Sequence, residues 1–186
     1  RNFYIETSIY KVGGEENNGH GLIWGFQDWK NYFSFNISST GFFRVSKEEE
    51  DEWTNIKGWT ASSAVKKDNG ATNVLKLAKV GNMMKFYING TFVFETYYEE
   101  MFGNRIGFEI HKRQELAINY FKVAYTGNKS VFVNGRVNDN EEVESLVSPT
   151  YNLLSINGGN GEEVHISFKY AHARKNGLSD DVLKIF

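Results

Sequence analysis

Between Thr72 and Phe94 the chain reads TNVLKLAKVGNMMKFYINGTFVF, and this stretch leaves little choice of fold. Leu75 and Leu77 alternate with Lys76 and Ala78. After Gly81-Asn82, Met84, Phe86 and Ile88 alternate with Lys85, Tyr87 and Asn89, and after Asn89-Gly90 come Phe92 and Phe94. A period of two sends one set of side chains into a core and the other toward water. Gly-Asn and Asn-Gly supply the positive φ angles that tight hairpins need. The stretch predicts three antiparallel strands in a meander.

The same alternation recurs on either side. Phe3, Ile5, Thr7 and Ile9 oppose Tyr4, Glu6, Ser8 and Tyr10, and a polar, glycine-rich loop runs from Gly13 to Gly21. Leu22, Trp24 and Phe26 share one side of a strand that is apolar on both. Phe33, Phe35 and Ile37 oppose Tyr32, Ser34 and Asn36, and Phe43 and Val45 oppose Phe42 and Arg44. Trp53 and Trp59 bracket Asn55-Ile56-Lys57-Gly58. Ile106, Phe108 and Ile110 oppose Arg105, Glu109 and His111, and Leu116 to Tyr125 closes the set. Short strands at even spacing, with no strand–helix alternation, predict an all-β antiparallel β-sandwich. From about residue 126 the character changes. A small hairpin at 131–137, an acidic run at 139–145, Pro149 and two strands at 151–156 and 164–170 lead to a short helix, with Ser179 as its N-cap and Val182, Leu183 and Phe186 as its apolar side. The reading is therefore one domain over 1–125 and a C-terminal extension over 126–186, either extra strands or the start of a second unit.

Composition narrows the function classes. The chain carries 21 Lys and Arg against 23 Asp and Glu, so no basic excess is present to neutralise phosphates, and no nucleic-acid partner is expected. No cysteine is present, which removes disulfides, thiolate metal sites and cysteine nucleophiles. No apolar run reaches membrane-spanning length, so membrane insertion is not expected. The chain opens on Arg1-Asn2-Phe3-Tyr4-Ile5, straight into a strand, which suggests a segment excised from a longer protein whose other domains would be its partners. The compartment stays open, with an extracytoplasmic one preferred.

Phe3-Tyr4-Ile5-Glu6, Gly21-Leu22-Ile23-Trp24-Gly25-Phe26, Tyr32 to Ser38, Gly41-Phe42-Phe43-Arg44-Val45, Asn73 to Leu77 and Phe86-Tyr87-Ile88-Asn89-Gly90 together resemble the concanavalin A-like jelly-roll superfamily over about residues 1–125. The branches most similar are the laminin G-type and 3-keto-disaccharide hydrolase-type domains, which occur as accessory modules in bacterial multidomain proteins. The resemblance implies a jelly roll. It does not by itself assign chemistry, because the superfamily includes lectins, glucanases, sensors and adhesion modules.

The glucanases of that superfamily set acidic residues along one strand, and retaining hydrolysis needs two carboxyls about 5–5.5 Å apart. The strand Arg105-x-Gly107-x-Glu109-x-His111 offers one carboxylate on that side. The run Lys47 to Glu52 (KEEEDE) points its acids in every direction and reads as a solvated turn; calcium is the one ion it would suit, and no other cofactor is implied. None of His20, His111, His165 and His172 has helix-borne metal spacing, and no nucleophile elbow is present. What remains is binding. A sandwich face can hold an extended oligosaccharide or polysaccharide by stacking aromatic planes on sugar rings and hydrogen-bonding hydroxyls. By alternation that face would present Tyr32, Asn36, Arg44, Tyr87, Arg105, Glu109 and His111, with Lys76 and Asn89 beside them and Trp24 or Trp29 as a stacking plane. Asn17, Asn18 and His20 form a loop alternative. The reading is a non-catalytic carbohydrate-binding or sensory module. A protein-interaction or structural module and a glycoside or keto-disaccharide hydrolase-type domain are the alternatives.

Overall fold

In the computed structural model the described residues are 2–126 and, beyond them, 132–133, 136–137, 141–142, 153–159, 163–168, 171–175 and 183–185; side chains are described over 2–124. Ten strands carry the first part: β1 (Asn2–Gly14), β2 (His20–Asp28), β3 (Asn31–Ser38), β4 (Phe42–Glu49), β5 (Glu52–Ala61), β6 (Thr72–Val80), β7 (Met83–Ile88), β8 (Thr91–Tyr97), β9 (Arg105–Ile110) and β10 (Gln114–Thr126). Later strands are β11 (Phe132–Val133), β12 (Arg136–Val137), β13 (Glu141–Glu142), β14 (Leu153–Gly159), β15 (Glu163–Phe168), β16 (Ala171–Lys175) and β17 (Leu183–Ile185). No helix occurs among the described residues.

Two six-stranded antiparallel sheets form the sandwich. The first has the order β16-β10-β1-β6-β7-β8 and the second β17-β9-β2-β3-β4-β5. The meander expected over 72–94 is β6-β7-β8, turned at Gly81 (φ 62°) and at Asn89-Gly90 (φ 51° and 80°). The tail adds β16 beside β10 and β17 beside β9. The short helix expected toward the end of the chain is therefore not present at Leu183–Ile185, which pair as a strand with Ile110 to Phe108. Ser179, Val182 and Phe186 lie outside the described residues.

The inward halves of the alternating strands meet as one core. Phe3, Ile5, Ile9, Leu75, Leu77, Phe86 and Ile88 from the first sheet pack against Leu22, Trp24, Phe33, Phe35, Ile37, Phe43, Val45, Phe108 and Ile110 from the second. Aromatic pairs bridge the layers, with Phe35 edge-on to Phe86 at 5.2 Å and Phe108 edge-on to Phe121 at 5.8 Å. Such contacts add to area burial and fix the spacing of the sheets. Trp24 is part of this core, stacked on Phe33 at 5.4 Å, and is not a surface plane. Phe26 departs from the parity of Leu22 and Trp24. Gly25 takes φ 60° at a register break, and the bulge turns Phe26 to the outer side. There it clusters with Ile23 and Tyr32.

Three sequence features take defined places in the fold. The acidic run is the β4–β5 hairpin, whose turn residues Glu50 and Asp51 take φ 52° and 70°. Asn89 ties the β7–β8 turn to its surroundings: its amide donates to the Ala64 carbonyl and to Asn73 Oδ1, each at 2.8 Å, and its Oδ1 accepts from Val74 N at 2.8 Å. His20 belongs not to a mobile loop but to the first position of β2, 1% exposed.

Candidate functional site

The outer face of the second sheet is built from one cross-strand row. Glu109 on β9 pairs with Gly21 on β2, Gly21 with Asn36 on β3, and Asn36 with Arg44 on β4. Gly21 has no side chain, so Glu109 and Asn36 reach toward each other across it. The Asn36 amide nitrogen donates to Glu109 Oε1, and also lies 3.3 Å from Ser34 Oγ. A Cβ at Gly21 would sit 2.9 Å from Asn36 Cα, 3.0 Å from Asn36 Oδ1 and against the Phe35 carbonyl oxygen. Glycine is therefore the residue that this row requires.

The row is dry. Ser34, Asn36, Ser46 and Glu109 have no exposed surface, although all four point away from the core. Edge strand β5 supplies the cover. Its register breaks against β4 on either side of Val45, and the irregular backbone brings Trp53 and Trp59 over Arg44. The Arg44 guanidinium carbon stands 4.7 Å from the Trp53 ring centroid and 4.8 Å from that of Trp59. On the other side, Gly19 presses against Trp59 and His111, where an added Cβ would lie 3.3 Å from each.

Buried polar atoms are expected to find partners, and exceptions require a reason. Among the described residues, the buried side-chain atoms without a hydrogen bond are Asn36 Oδ1, Arg44 Nε, Glu109 Oε2 and His111 Nε2, the last facing Glu109 Oε1 at 3.6 Å. All four belong to this one cluster. Two are acceptors, one is a donor and the imidazole nitrogen can be either. Burial alone would raise the Glu109 pKa; the His111 ring, 3.6 Å away, and the Asn36 amide outweigh it and hold the carboxyl below its usual range. Arg44 is shifted down by burial, with Glu109 and Tyr32 opposing that shift. The cluster thus holds one anion and one cation with unfilled hydrogen-bonding capacity on both.

Toward the other end of the face the character becomes aromatic. Tyr32 is 2% exposed, donates its hydroxyl to Glu48 and lies edge-on to Trp53 at 6.4 Å. Its phenol is pushed upward, first by burial and then by the Glu109 and Glu48 carboxylates. Phe26 is edge-on to the exposed Trp29 at 5.5 Å, and Arg105 reaches over the Phe26 ring at 5.9 Å. Arg105 and Glu109 lie on the same strand face four residues apart, roughly 13 Å.

A buried polar network supports the rim. Lys11, 1% exposed, donates to Gln114 Oε1 and, at 2.9 Å, to the Glu15 carbonyl. His20 Nδ1 donates to the same Gln114 oxygen at 3.1 Å, and the Gln114 amide donates to the carbonyls of Gly19 (3.0 Å) and His111. Burial, aided by the Lys11 charge, pushes the His20 pKa down to about 3, and burial lowers Lys11 to about 8 against the pull of Glu16 and Glu15. Gln114 thereby holds both the loop that ends at Gly19 and the residue that follows β9.

Of the seven residues expected on one face, Tyr32, Asn36, Arg44, Arg105, Glu109 and His111 lie on the second sheet or directly after it. Tyr87 does not join them. It stands on the outer face of the first sheet, cross-strand from Lys76. Trp53 and Trp59 complete the second-sheet face and were not among the expected binding residues. The signal for them was the pair of tryptophans in a segment otherwise polar enough to be surface. Among the described residues no group of three or more His, Asp and Glu side chains is placed to hold a metal ion.

No family model matches the chain, and no curated protein matches it. Among solved structures it is similar to carbohydrate-binding module CBM66 from Bacillus subtilis, at 19% identity and a TM-score of 0.48, covering 57% of this chain and 65% of that one. The chain thus spans just under two thirds of the length of that module. It is also similar to sheep galectin-11, at 9% identity and a TM-score of 0.43, covering 54% of this chain and 74% of that one. A galectin of Caenorhabditis elegans matches at 10% identity and a TM-score of 0.42, covering 63% of this chain and 74% of that one.

Proposed function

We propose that the chain is a non-catalytic carbohydrate-binding module whose ligand seats on the outer face of the second sheet. The observation that carries this reading is the convergence of four buried polar atoms that lack hydrogen bonds, on Asn36, Arg44, Glu109 and His111, beneath two half-exposed tryptophans. A sugar answers both halves. Each hydroxyl both donates and accepts, which suits a cluster with free acceptors and a free donor, and the C–H faces of the ring suit indole planes. For a ligand to enter, Arg44 swings from between the tryptophans and its guanidinium turns onto the hydroxyls.

Hydrolysis is not part of this reading. Glu109 is the one carboxylate in the dry cluster. Glu48 stands on β4, three strands from β9, and its carboxylate takes the Tyr32 hydroxyl, so it is engaged in the aromatic end of the face and not in the dry cluster. A sensory role within a longer chain, of the laminin G type, would use the same seat.

The test is a glycan array of the purified chain with and without calcium, followed by tryptophan fluorescence titration of any hit. The expected result is a neutral glycan that quenches or shifts tryptophan emission in the wild type and binds at least tenfold more weakly to Glu109→Gln and Arg44→Ala. A blank array with a folded chain, or a hit indifferent to both substitutions, overturns the reading.

A further inference from the structure

We propose a second, separate ligand site on the outer face of the first sheet, one that takes an acidic saccharide. A continuous cross-strand row crosses that face: Lys122 on β10, Glu6 on β1, Lys76 on β6, Tyr87 on β7 and Phe92 on β8. The next row is Ala124, Tyr4, Ala78 and Lys85. The short Ala78 between Tyr4 and Lys85 leaves a depression. It opens as a groove of about 510 Å³ whose lining includes Tyr4, Glu6, Lys76, Ala78 and Tyr87.

The groove has the two parts that a charged sugar needs. The first is aromatic surface. Tyr87 lines the groove, and beside it, edge-on at 5.8 Å, Phe92 is half exposed, so a sugar ring that extends from the groove over β8 covers apolar surface now in water. The second is positive charge. Glu6 is the one carboxylate in the row, and it stands between two lysines while also accepting the Tyr120 hydroxyl at 2.9 Å. Lys76 is 3.7 Å from Glu6, and both ammonium groups lean over the Tyr4 ring, Lys76 at 4.1 Å and Lys122 at 5.0 Å. Burial lowers the Lys122 pKa, with Glu6 opposing and the Lys76 charge adding to the shift. A carboxylate brought by a ligand meets Lys76 from the open side of the groove; a neutral sugar supplies no such partner. The arrangement differs from that of the second-sheet face, where the Glu109 anion and the Arg44 cation lie together in a buried cluster.

The chain's own fluorophores separate the two sites. Its four tryptophans are Trp24 in the core and Trp29, Trp53 and Trp59 on the second-sheet side, so none stands on this face. The experiment titrates the whole chain with trigalacturonate and with its methyl ester, by calorimetry and by amide chemical shifts. Expected are shifts centred on Glu6, Lys76 and Tyr87 with tryptophan emission unchanged, and an affinity at least tenfold lower for the ester. Lys76→Gln and Tyr87→Ala each lower affinity for the acid at least tenfold while melting as folded chains, and Lys85→Gln leaves it unchanged. Equal affinity for acid and ester, no binding, or binding indifferent to Lys76→Gln overturns the proposal. Shifts centred on Asn36, Glu109 and His111 with a tryptophan response also overturn it, and assign the acid to the second-sheet face instead.

Discussion

The two outer faces of the sandwich are made from the same kinds of residue and differ in water. On the first sheet, Glu6, Lys76, Lys85 and Tyr87 are half exposed, and the charges pair across strands at 3.7 Å with solvent around them. On the second sheet, Ser34, Asn36, Ser46 and Glu109 are sealed, and four polar atoms lack hydrogen bonds. Two features cause the difference. Gly21 lets its cross-strand neighbours meet over a bare backbone, and β5 folds its tryptophans across the result. A wet polar row is tolerant, since water replaces any lost partner. A dry one is demanding, because each unfilled group carries a desolvation cost of about 1–3 kcal/mol until something fills it.

The largest expected effect is at the glycine that makes the dry row. Gly21→Ala drives a methyl against the Phe35 carbonyl and Asn36 Cα, where backbone on both sides resists movement. A loss of about 3 kcal/mol in urea unfolding is expected, the upper end for overpacking. An alanine variant as stable as the wild type would mean that the dry row does not depend on a bare backbone at Gly21. Next is acid sensitivity. Folded His20 takes its proton only near pH 3, whereas an unfolded imidazole does so near 6.5. Between those values the unfolded chain binds more protons, so stability falls as pH falls through that window, by up to about 1.4 kcal/mol per unit. Melts of His20→Gln should show a flatter dependence over the same range. Arg44→Ala removes two cation–π contacts; a loss of about 1 kcal/mol and a shift in tryptophan emission are expected. The smallest effect belongs to the wet face. Lys76→Ala breaks a partly exposed pair and should change stability by less than about 0.5 kcal/mol. A larger loss there would mean that the two faces are more alike than their exposure suggests.

Period-two alternation carried most of the strand pattern, because Phe33, Phe35 and Ile37 or Leu75 and Leu77 can only face a core. What alternation does not contain is sheet membership. Tyr87 and Asn36 both read as outward, yet outward from different sheets, since β1 joins β6 and β10 while β2 joins β9 over long separations. Strand β5 was hard to see for another reason. Both its faces are largely wet and its register is broken, so Trp53 and Trp59 show no clean period. One bulge at Gly25 moves Phe26 to the face opposite the one its parity predicts, and the terminal Leu183–Ile185 is too short a run for apolar spacing to separate a strand from a helix turn. Glu109 and Asn36 were legible as outward polar residues; that they touch each other, and that Gly21 permits it, is a fact of pairing.

The irregular backbone of β5 has a consequence beyond the outer face of the second sheet. Strands β5 and β8 end their sheets on the same side, where Lys57 reaches the Phe94 ring, and an unpaired strand edge is a template on which another chain can add and aggregate. A ten-residue edge with regular spacing would be a long template. Here the breaks beside Val45, with Lys57 and Gly58 in the disturbed stretch, interrupt the ladder of free donors and acceptors, and β8 carries its own break opposite Phe86 and Tyr87. The distortion that lays Trp59 on Arg44 therefore also leaves a poor template for strand-to-strand docking, and straightening it would uncover the row beneath and present a regular edge.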